Sequence, residues 1–143
     1  MIEIHRSALV LVSAEELYDL ITDIEQYPQF LDGVVAARVL EAGASQMLGE
    51  LTVRKAGFER TLVTRNTLLR PLSIEMNLAE GPLESLTGLW QIKALGAQGC
   101  KVTFDLTFNA GQGLKATAFA LMFKQVADTM VSAFVSRAQG LKP

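Results

Sequence analysis

Residues 114–139, LKATAFALMFKQVADTMVSAFVSRAQ, decide the fold. This stretch has no internal glycine or proline, and one face carries apolar side chains at helical spacing: Phe119, Met122, Phe123, Val126, Met130, Phe134 and Ala138. Gly140 supplies a C-terminal stop. At 1.5 Å per residue the predicted helix is about 39 Å long, enough to lie across the concave face of a twisted sheet.

The sheet is predicted by segments that precede this helix and alternate between apolar and polar residues. They cover residues 2–11, 34–42, 46–56, 58–69, 73–79, 86–95 and 100–109. One face of the predicted strands carries Met47, Leu51 and Val53, then Ile74, Met76 and Leu78, then Leu86, Gly88 and Trp90, then Val102, Phe104, Leu106 and Phe108. The connections are too short for crossover helices, so we predict seven antiparallel strands joined by hairpins.

Two short helices are predicted after the first strand. Ser13 and Glu16 form a capping box before an apolar run at helical spacing, and Pro28 limits the next segment to a second short helical piece. The predicted fold class is α+β, with a seven-stranded antiparallel sheet wrapped around one long C-terminal helix. We expect a single domain over residues 1–143.

The composition indicates a binding protein more than an enzyme. Half of the 143 residues are hydrophobic and 20% are charged, which leaves apolar side chains to line a hollow. With one cysteine and one histidine, Cys100 and His5, the chain has no intramolecular disulfide and no Cys/His metal cluster. His5 has no identifiable carboxylate partner, so we predict no catalytic residue. We also expect no secretion signal and no membrane span.

Three motifs carry a family resemblance. The first has Asp23, Tyr27, Pro28 and Phe30; the second has Thr64, Arg65 and Asn66; the third has Gly81, Pro82, Leu86, Gly88 and Trp90. With these motifs the chain resembles the coenzyme Q-binding, START-like family of the polyketide cyclase superfamily, and within it the bacterial RatA proteins. Leu62 and Leu83 depart from this pattern, because the family has aromatic residues at both places.

The resemblance implies a helix-grip fold with a cavity between the sheet and the C-terminal helix. Its expected occupant is ubiquinone or a similar isoprenoid lipid, bound without catalysis and in support of respiration; no cofactor or metal is expected. The candidate ligand-binding residues are Tyr27, Phe30, Met47, Leu51, Leu62, Met76, Leu78, Leu83, Leu86, Trp90, Phe104, Phe119, Phe123 and Met130. The alternative for the same apolar residues is ordinary core packing, since any core between a sheet and a helix has such stripes. Arg65 and Asn66 are expected either in the pocket or in surface ion pairs.

The RatA resemblance implies a different function, in which the protein binds the large ribosomal subunit and blocks subunit association. The net charge of −2 gives no general attraction to RNA, so this function requires a local basic patch. Candidates for RNA contact are Arg54, Lys55, Arg60 and Arg70, together with Arg65. The alternative for these residues is a solvated sheet face.

The expected partners are thus a hydrophobic small molecule or the large ribosomal subunit, and not DNA. We expect a cytoplasmic location, with at most transient contact with the inner face of the membrane. A cyclase acting on polyketides rests on the superfamily name alone, because the sequence has no evident acid/base pair.

Overall fold

The computed structural model describes residues 1–140, which contain one seven-stranded antiparallel sheet in the order β1-β7-β6-β5-β4-β3-β2. The strands are β1 (Ile2–Val10), β2 (Val34–Ala42), β3 (Gln46–Lys55), β4 (Phe58–Leu69), β5 (Ser73–Glu80), β6 (Ser85–Ala94) and β7 (Cys100–Asn109). Every predicted strand is present, with its ends displaced by one residue at most. The predicted fold class is confirmed.

The inner, concave face of the sheet is the one that the alternation predicts. In β7, Val102, Phe104, Leu106 and Phe108 are all buried, whereas the residues between them are half-buried. In β6, Leu86, Gly88 and Trp90 are buried on the same face. This face carries the apolar core because successive strand residues point to opposite sides of a sheet.

The two predicted short helices are present and are tied to each other. Helix α1 (Ala14–Thr22) begins at Ser13, whose hydroxyl oxygen accepts a hydrogen bond from the Glu16 amide at 3.1 Å. A 3₁₀ helix (Ile24–Gln29) comes next, and its Tyr27 hydroxyl donates to the Ile21 carbonyl oxygen of α1. This hydrogen bond fixes the bend between the two helices.

The C-terminal helix is interrupted, which the sequence did not predict. It consists of α2 (Leu114–Asp128) and α3 (Met130–Gly140), with Thr129 between them. The Thr129 amide bonds weakly to the Val126 carbonyl at 3.4 Å, and the Thr129 hydroxyl donates to the same oxygen at 3.0 Å. A threonine hydroxyl that competes for a helical carbonyl disturbs the ladder locally.

By length and composition, the 27-residue segment Leu114–Gly140 is apolar enough to cross a membrane. The central helix of a sheet-on-helix core has the same composition, since one face must be apolar. Phe119, Phe123, Val126 and Phe134 are buried in the core here. Burial of this stripe therefore accounts for the hydropathy of the segment without a membrane.

Candidate functional site

A small cavity lies between the inner face of the sheet and the helices. Its volume is about 60 Å³, and its walls are almost entirely apolar. Strands β2 to β7 supply Val34, Met47, Gly49, Leu51, Val53, Leu62, Thr64, Asn66, Ile74, Met76, Leu86, Trp90, Phe104 and Leu106. The helices supply Ile21, Thr22, Ile24, Tyr27, Phe123, Val126 and Met130.

The structure brings most of the candidate ligand-binding residues to this cavity. Those that line it are Tyr27, Met47, Leu51, Leu62, Asn66, Met76, Leu86, Trp90, Phe104, Phe123 and Met130. The other five, Phe30, Leu78, Leu83, Phe119 and Arg65, lie outside the lining. Whether any of these residues contacts a ligand stays a prediction.

The candidates outside the lining have packing or surface positions. Phe30 packs edge-on against Phe134 at 5.4 Å between ring centroids, and the Arg137 guanidinium lies over its ring. Phe119 is stacked with Phe123 at 5.9 Å. Leu78 is half-buried, and Leu83 is buried in the loop before β6. These side chains lie where ordinary core packing, the alternative to ligand contact, would place them.

Sequence reasoning missed ten lining residues. Four of them share a strand face with residues that it did name, so the period-two pattern was a sufficient signal: Val53, Thr64, Ile74 and Leu106. Gly49 also lies on this face. It has no side chain, so only the folded structure, in which Ile24 fills the space above it, identifies it as a lining residue. Val126 lies on the predicted helix stripe with Phe123 and Met130, so helical spacing was its signal. The remaining four, Ile21, Thr22, Ile24 and Val34, depend on how the helices dock, which no strand pattern reveals.

Trp90 is the centre of the aromatic packing beside the cavity. It is 1% exposed and stacks on Phe104 with 4.1 Å between ring centroids. Phe134 of α3 meets it edge-on at 5.3 Å and also contacts Tyr27 at 5.3 Å. Trp90 therefore joins the sheet, the 3₁₀ helix and α3, and it also forms part of the cavity wall.

Asn66 is the polar exception in the cavity wall. It is 5% exposed, and its Oδ1 atom has no hydrogen-bond partner within residues 1–140. Its neighbours across the two adjacent strands are Met47 and Met76, which also line the cavity. A buried amide without a partner costs about 1–3 kcal/mol. The carboxamide thus lies at the cavity wall, between two flexible side chains, with unused hydrogen-bonding capacity.

Two glycines explain why the cavity is so small. A Cβ atom on Gly88 would lie 2.5 Å from Cε of Met76, and one on Gly49 would lie 2.7 Å from Cδ1 of Ile24. The space that side chains would take at these positions is filled by Met76 and Ile24. For comparison, an engineered cavity that accepts benzene has a volume of about 150 Å³. An aromatic head group therefore does not fit unless lining side chains move.

The titratable groups near the cavity are not arranged for acid/base chemistry. Burial, and secondarily the charge of Asp23, raises the pKa of the Tyr27 hydroxyl far above its ordinary value, so this group stays protonated. No three His, Cys, Asp or Glu residues in the described chain are placed to hold a metal ion. His5 does have a carboxylate partner, contrary to the sequence interpretation: it bonds to Asp105 on an exposed part of the sheet.

The basic residues predicted for RNA contact do not form one patch. The side chains of Arg54 and Arg60 project from opposite faces of paired strands, and Arg70 comes after the far end of β4. Four of the five cations contact carboxylates: Arg54 with Glu59, Lys55 with Asp32, Arg65 with Glu41 and Arg70 with Asp19. Their positive charge is therefore largely compensated within the protein.

Comparison with known proteins identifies the family. Residues 10–135 match the family described as polyketide cyclase / dehydrase and lipid transport. A Pseudomonas aeruginosa protein named ribosome association toxin RatA is 50% identical, covering 96% of this chain and 96% of that protein. The Escherichia coli (strain K12) protein of the same name is 42% identical, covering 97% of this chain and 88% of its own length.

The fold agrees with a solved structure as well. A START superfamily protein from Mycobacterium smegmatis has a TM-score of 0.81 at 18% identity, covering 98% of this chain and 99% of that one. This structural similarity shows a shared fold alone. The family itself is shown by the sequence matches, which extend over nearly the whole chain. The chain therefore belongs to the polyketide cyclase / dehydrase and lipid transport family, and it groups there with the proteins named RatA.

Proposed function

We propose that this protein acts without catalysis in the cytoplasm, where it binds the large ribosomal subunit and blocks subunit association. The observation that carries the proposal is the 50% identity to a protein named ribosome association toxin RatA, spread over 96% of both chains. The absence of an acid/base arrangement around the cavity, among the residues described, is consistent with a binding role.

Subunit association measured on sucrose gradients tests this function. Purified bacterial subunits are mixed in associating magnesium concentrations with increasing amounts of the protein, and free subunits are expected to replace the joined ribosome peak. Pre-incubation should be effective with the large subunit and not with the small one. The heat-denatured protein serves as control. An unchanged ribosome peak at large molar excess of native protein would contradict the proposal.

The cavity favours a second candidate function, the binding of a small hydrophobic molecule. Its lining is apolar apart from a few polar groups, and Asn66 offers an unpaired acceptor to a ligand hydroxyl or amide. Ubiquinone, and with it a role in respiration, is the specific form of this candidate. A quinone ring exceeds the present 60 Å³, so its entry requires lining side chains to move, and the methionines Met47 and Met76 are the most flexible of them.

Substitution of Asn66 by leucine tests the second candidate. The similar-sized apolar side chain removes the unpaired amide, so we expect the free energy of unfolding to rise by about 1–3 kcal/mol in urea denaturation. The uptake of the reduced form, ubiquinol, whose ring hydroxyls can donate to Asn66 Oδ1, is expected to fall; lipid extraction or native mass spectrometry measures it. Asn77→Leu, on the exposed face of β5, is the matched control and should change neither quantity by much.

The outcomes separate the two roles of Asn66. A less stable Asn66→Leu protein would show that the amide is well satisfied in the native state, against the structural interpretation. Absence of quinone uptake by the unmodified protein would remove the ubiquinone candidate and leave the ribosomal function intact.

A further inference from the structure

A shallow hollow on the outer, convex face of the sheet carries two lysines without carboxylate partners. We call it the outer hollow; it is lined by Leu72, Ser73, Gln91, Ile92, Lys93, Lys101 and Thr103. Lys93 of β6 and Lys101 of β7 are direct cross-strand partners. Both are exposed, and neither forms an ion pair within residues 1–140.

The proximity of these two lysines lowers the stability of the isolated protein. Side chains directly opposite each other in an antiparallel pair have Cβ atoms about 4.5–5.5 Å apart, and like charges there are destabilising. On this face of the neighbouring strands the first carboxylates are Glu75, opposite Leu89, and Asp105. Each is four strand residues from the lysine row, or about 13 Å. Asp105 is moreover bonded to His5.

Neutral hydrogen-bond donors lie beside the lysines. Ser73, Gln91 and Thr103 are cross-strand neighbours in one row, two residues from the row of Lys93 and Lys101. Hydroxyl and carboxamide groups donate to phosphate oxygens, and lysine supplies the charge. The outer hollow therefore combines two uncompensated cations with three neutral donors, which is the chemistry of a phosphodiester site.

Exposed leucines border the same hollow. Leu9 is the direct cross-strand partner of Lys101 and is 69% exposed, while Leu72 is 55% and Leu95, just after β6, is 53% exposed. Apolar side chains around a charged centre exclude water when a partner docks, which strengthens the charged contacts. The leucines thus extend the contact beyond the two lysines.

We propose that the outer hollow binds the phosphate backbone of RNA in the large ribosomal subunit, with Lys93 and Lys101 as its principal contacts. The proposal rests on the ribosomal function proposed above and names the surface that carries it. It replaces the basic residues between positions 54 and 70, whose charges are mostly compensated by carboxylates.

The test compares two double variants that remove the same charge. In Lys93→Gln/Lys101→Gln the hollow loses both cations; in Arg38→Gln/Lys115→Gln two exposed cations elsewhere are removed, so both proteins go from net −2 to −4. Binding to purified bacterial large subunits is measured by co-sedimentation at several salt concentrations. The first variant is expected to bind at least tenfold more weakly, and its slope of log K against log salt should fall by about 2.

Each outcome decides the proposal. Weaker binding and a smaller salt slope in the lysine variant, but not in the control variant, support the proposal. Thermal unfolding must also show that the lysine variant is as stable as the unmodified protein or slightly more so. Equal weakening of both variants indicates general charge and overturns it. If the unmodified protein binds subunits and the lysine variant binds equally, the inference fails while the proposed function stands.

Two further results would rule out RNA of the large ribosomal subunit as the ligand of the outer hollow. If the unmodified protein does not bind subunits at all, the proposed function and the inference fail together. If it binds instead to vesicles of phosphatidylcholine and phosphatidylserine, and Lys93→Gln/Lys101→Gln abolishes that binding, then the hollow recognises lipid phosphate and the RNA proposal is overturned.

Discussion

Replacement of Trp90 by alanine is expected to lower the free energy of unfolding by about 3–5 kcal/mol. The indole is 1% exposed, stacks on Phe104 and meets Phe134 edge-on. The Trp90→Ala protein loses the apolar area that the indole buries and both of its ring contacts. It also loses the packing on one side of the existing cavity. Since domains of this size are typically stable by about 5–15 kcal/mol, such a loss is a large part of the total.

Urea unfolding followed by circular dichroism measures this effect, because the chain has a single tryptophan and the variant has no indole fluorescence. Trp90→Phe is the matched control: it retains a ring against Phe104 and should recover roughly half of the lost stability. A loss below about 1 kcal/mol in Trp90→Ala would mean that the surrounding core collapses into the vacated space. In that event Trp90 would not be the anchor that its contacts indicate.

The substitution Gly33→Ala is expected to cost about 2–5 kcal/mol for two separate reasons. Gly33 has a φ of 91°, which a residue with a side chain rarely adopts. A Cβ atom there would also lie 2.6 Å from Cγ2 of Val126, a β-branched side chain of α2 with little rotamer freedom. Gly33 thus allows the turn before β2 to approach the C-terminal helix closely.

Gly57→Ala isolates the first of these reasons. Gly57 has a φ of 84°, and a Cβ atom there would meet nothing within 4 Å, so only the backbone cost of about 1–2 kcal/mol is expected. Thermal or urea unfolding of both variants gives the difference, which measures the contact with Val126. Adding Val126→Ala to Gly33→Ala should recover part of that difference. Equal costs at the two glycines would show that α2 moves aside freely.

The sheet could be predicted almost completely from the sequence because its information is local. Each strand alternates with period two, and turn pairs such as Ala56-Gly57 separate the strands, so both boundaries and inner face can be read from short windows. The interruption at Thr129 could not be predicted in the same way. Threonine occurs in many continuous helices, and only its bond to the Val126 carbonyl reveals the local change.

The family resemblance implied the location of the cavity, and nothing in the sequence indicated its size. Trp90, Met76 and Phe104 were placed on the inner face by their alternation, and the structure brings them together. The volume depends instead on how far Met76 and Ile24 reach into the spaces above Gly88 and Gly49. Such long-range packing has no signature in the sequence.

The basic surface shows the opposite situation, because cations that are close together in the sequence are mostly paired with carboxylates in the folded protein. Arg54 and Lys55 are close in sequence to other cations, yet each contacts a carboxylate that the fold supplies. Lys93 and Lys101 are eight positions apart and become neighbours only through strand pairing. Uncompensated charge is a property of the folded surface, so the sequence alone did not reveal it.

The sites of the two candidate activities, the cavity and the outer hollow, lie on opposite faces of strand β6. Trp90 and Ile92 face the core, whereas Gln91 and Lys93 face the outer hollow. Point substitutions can therefore remove one activity and spare the other, and a genetic screen should recover the two classes of loss in alternate codons of this strand. One inserted codon would exchange the faces of the residues beyond it and abolish both activities together.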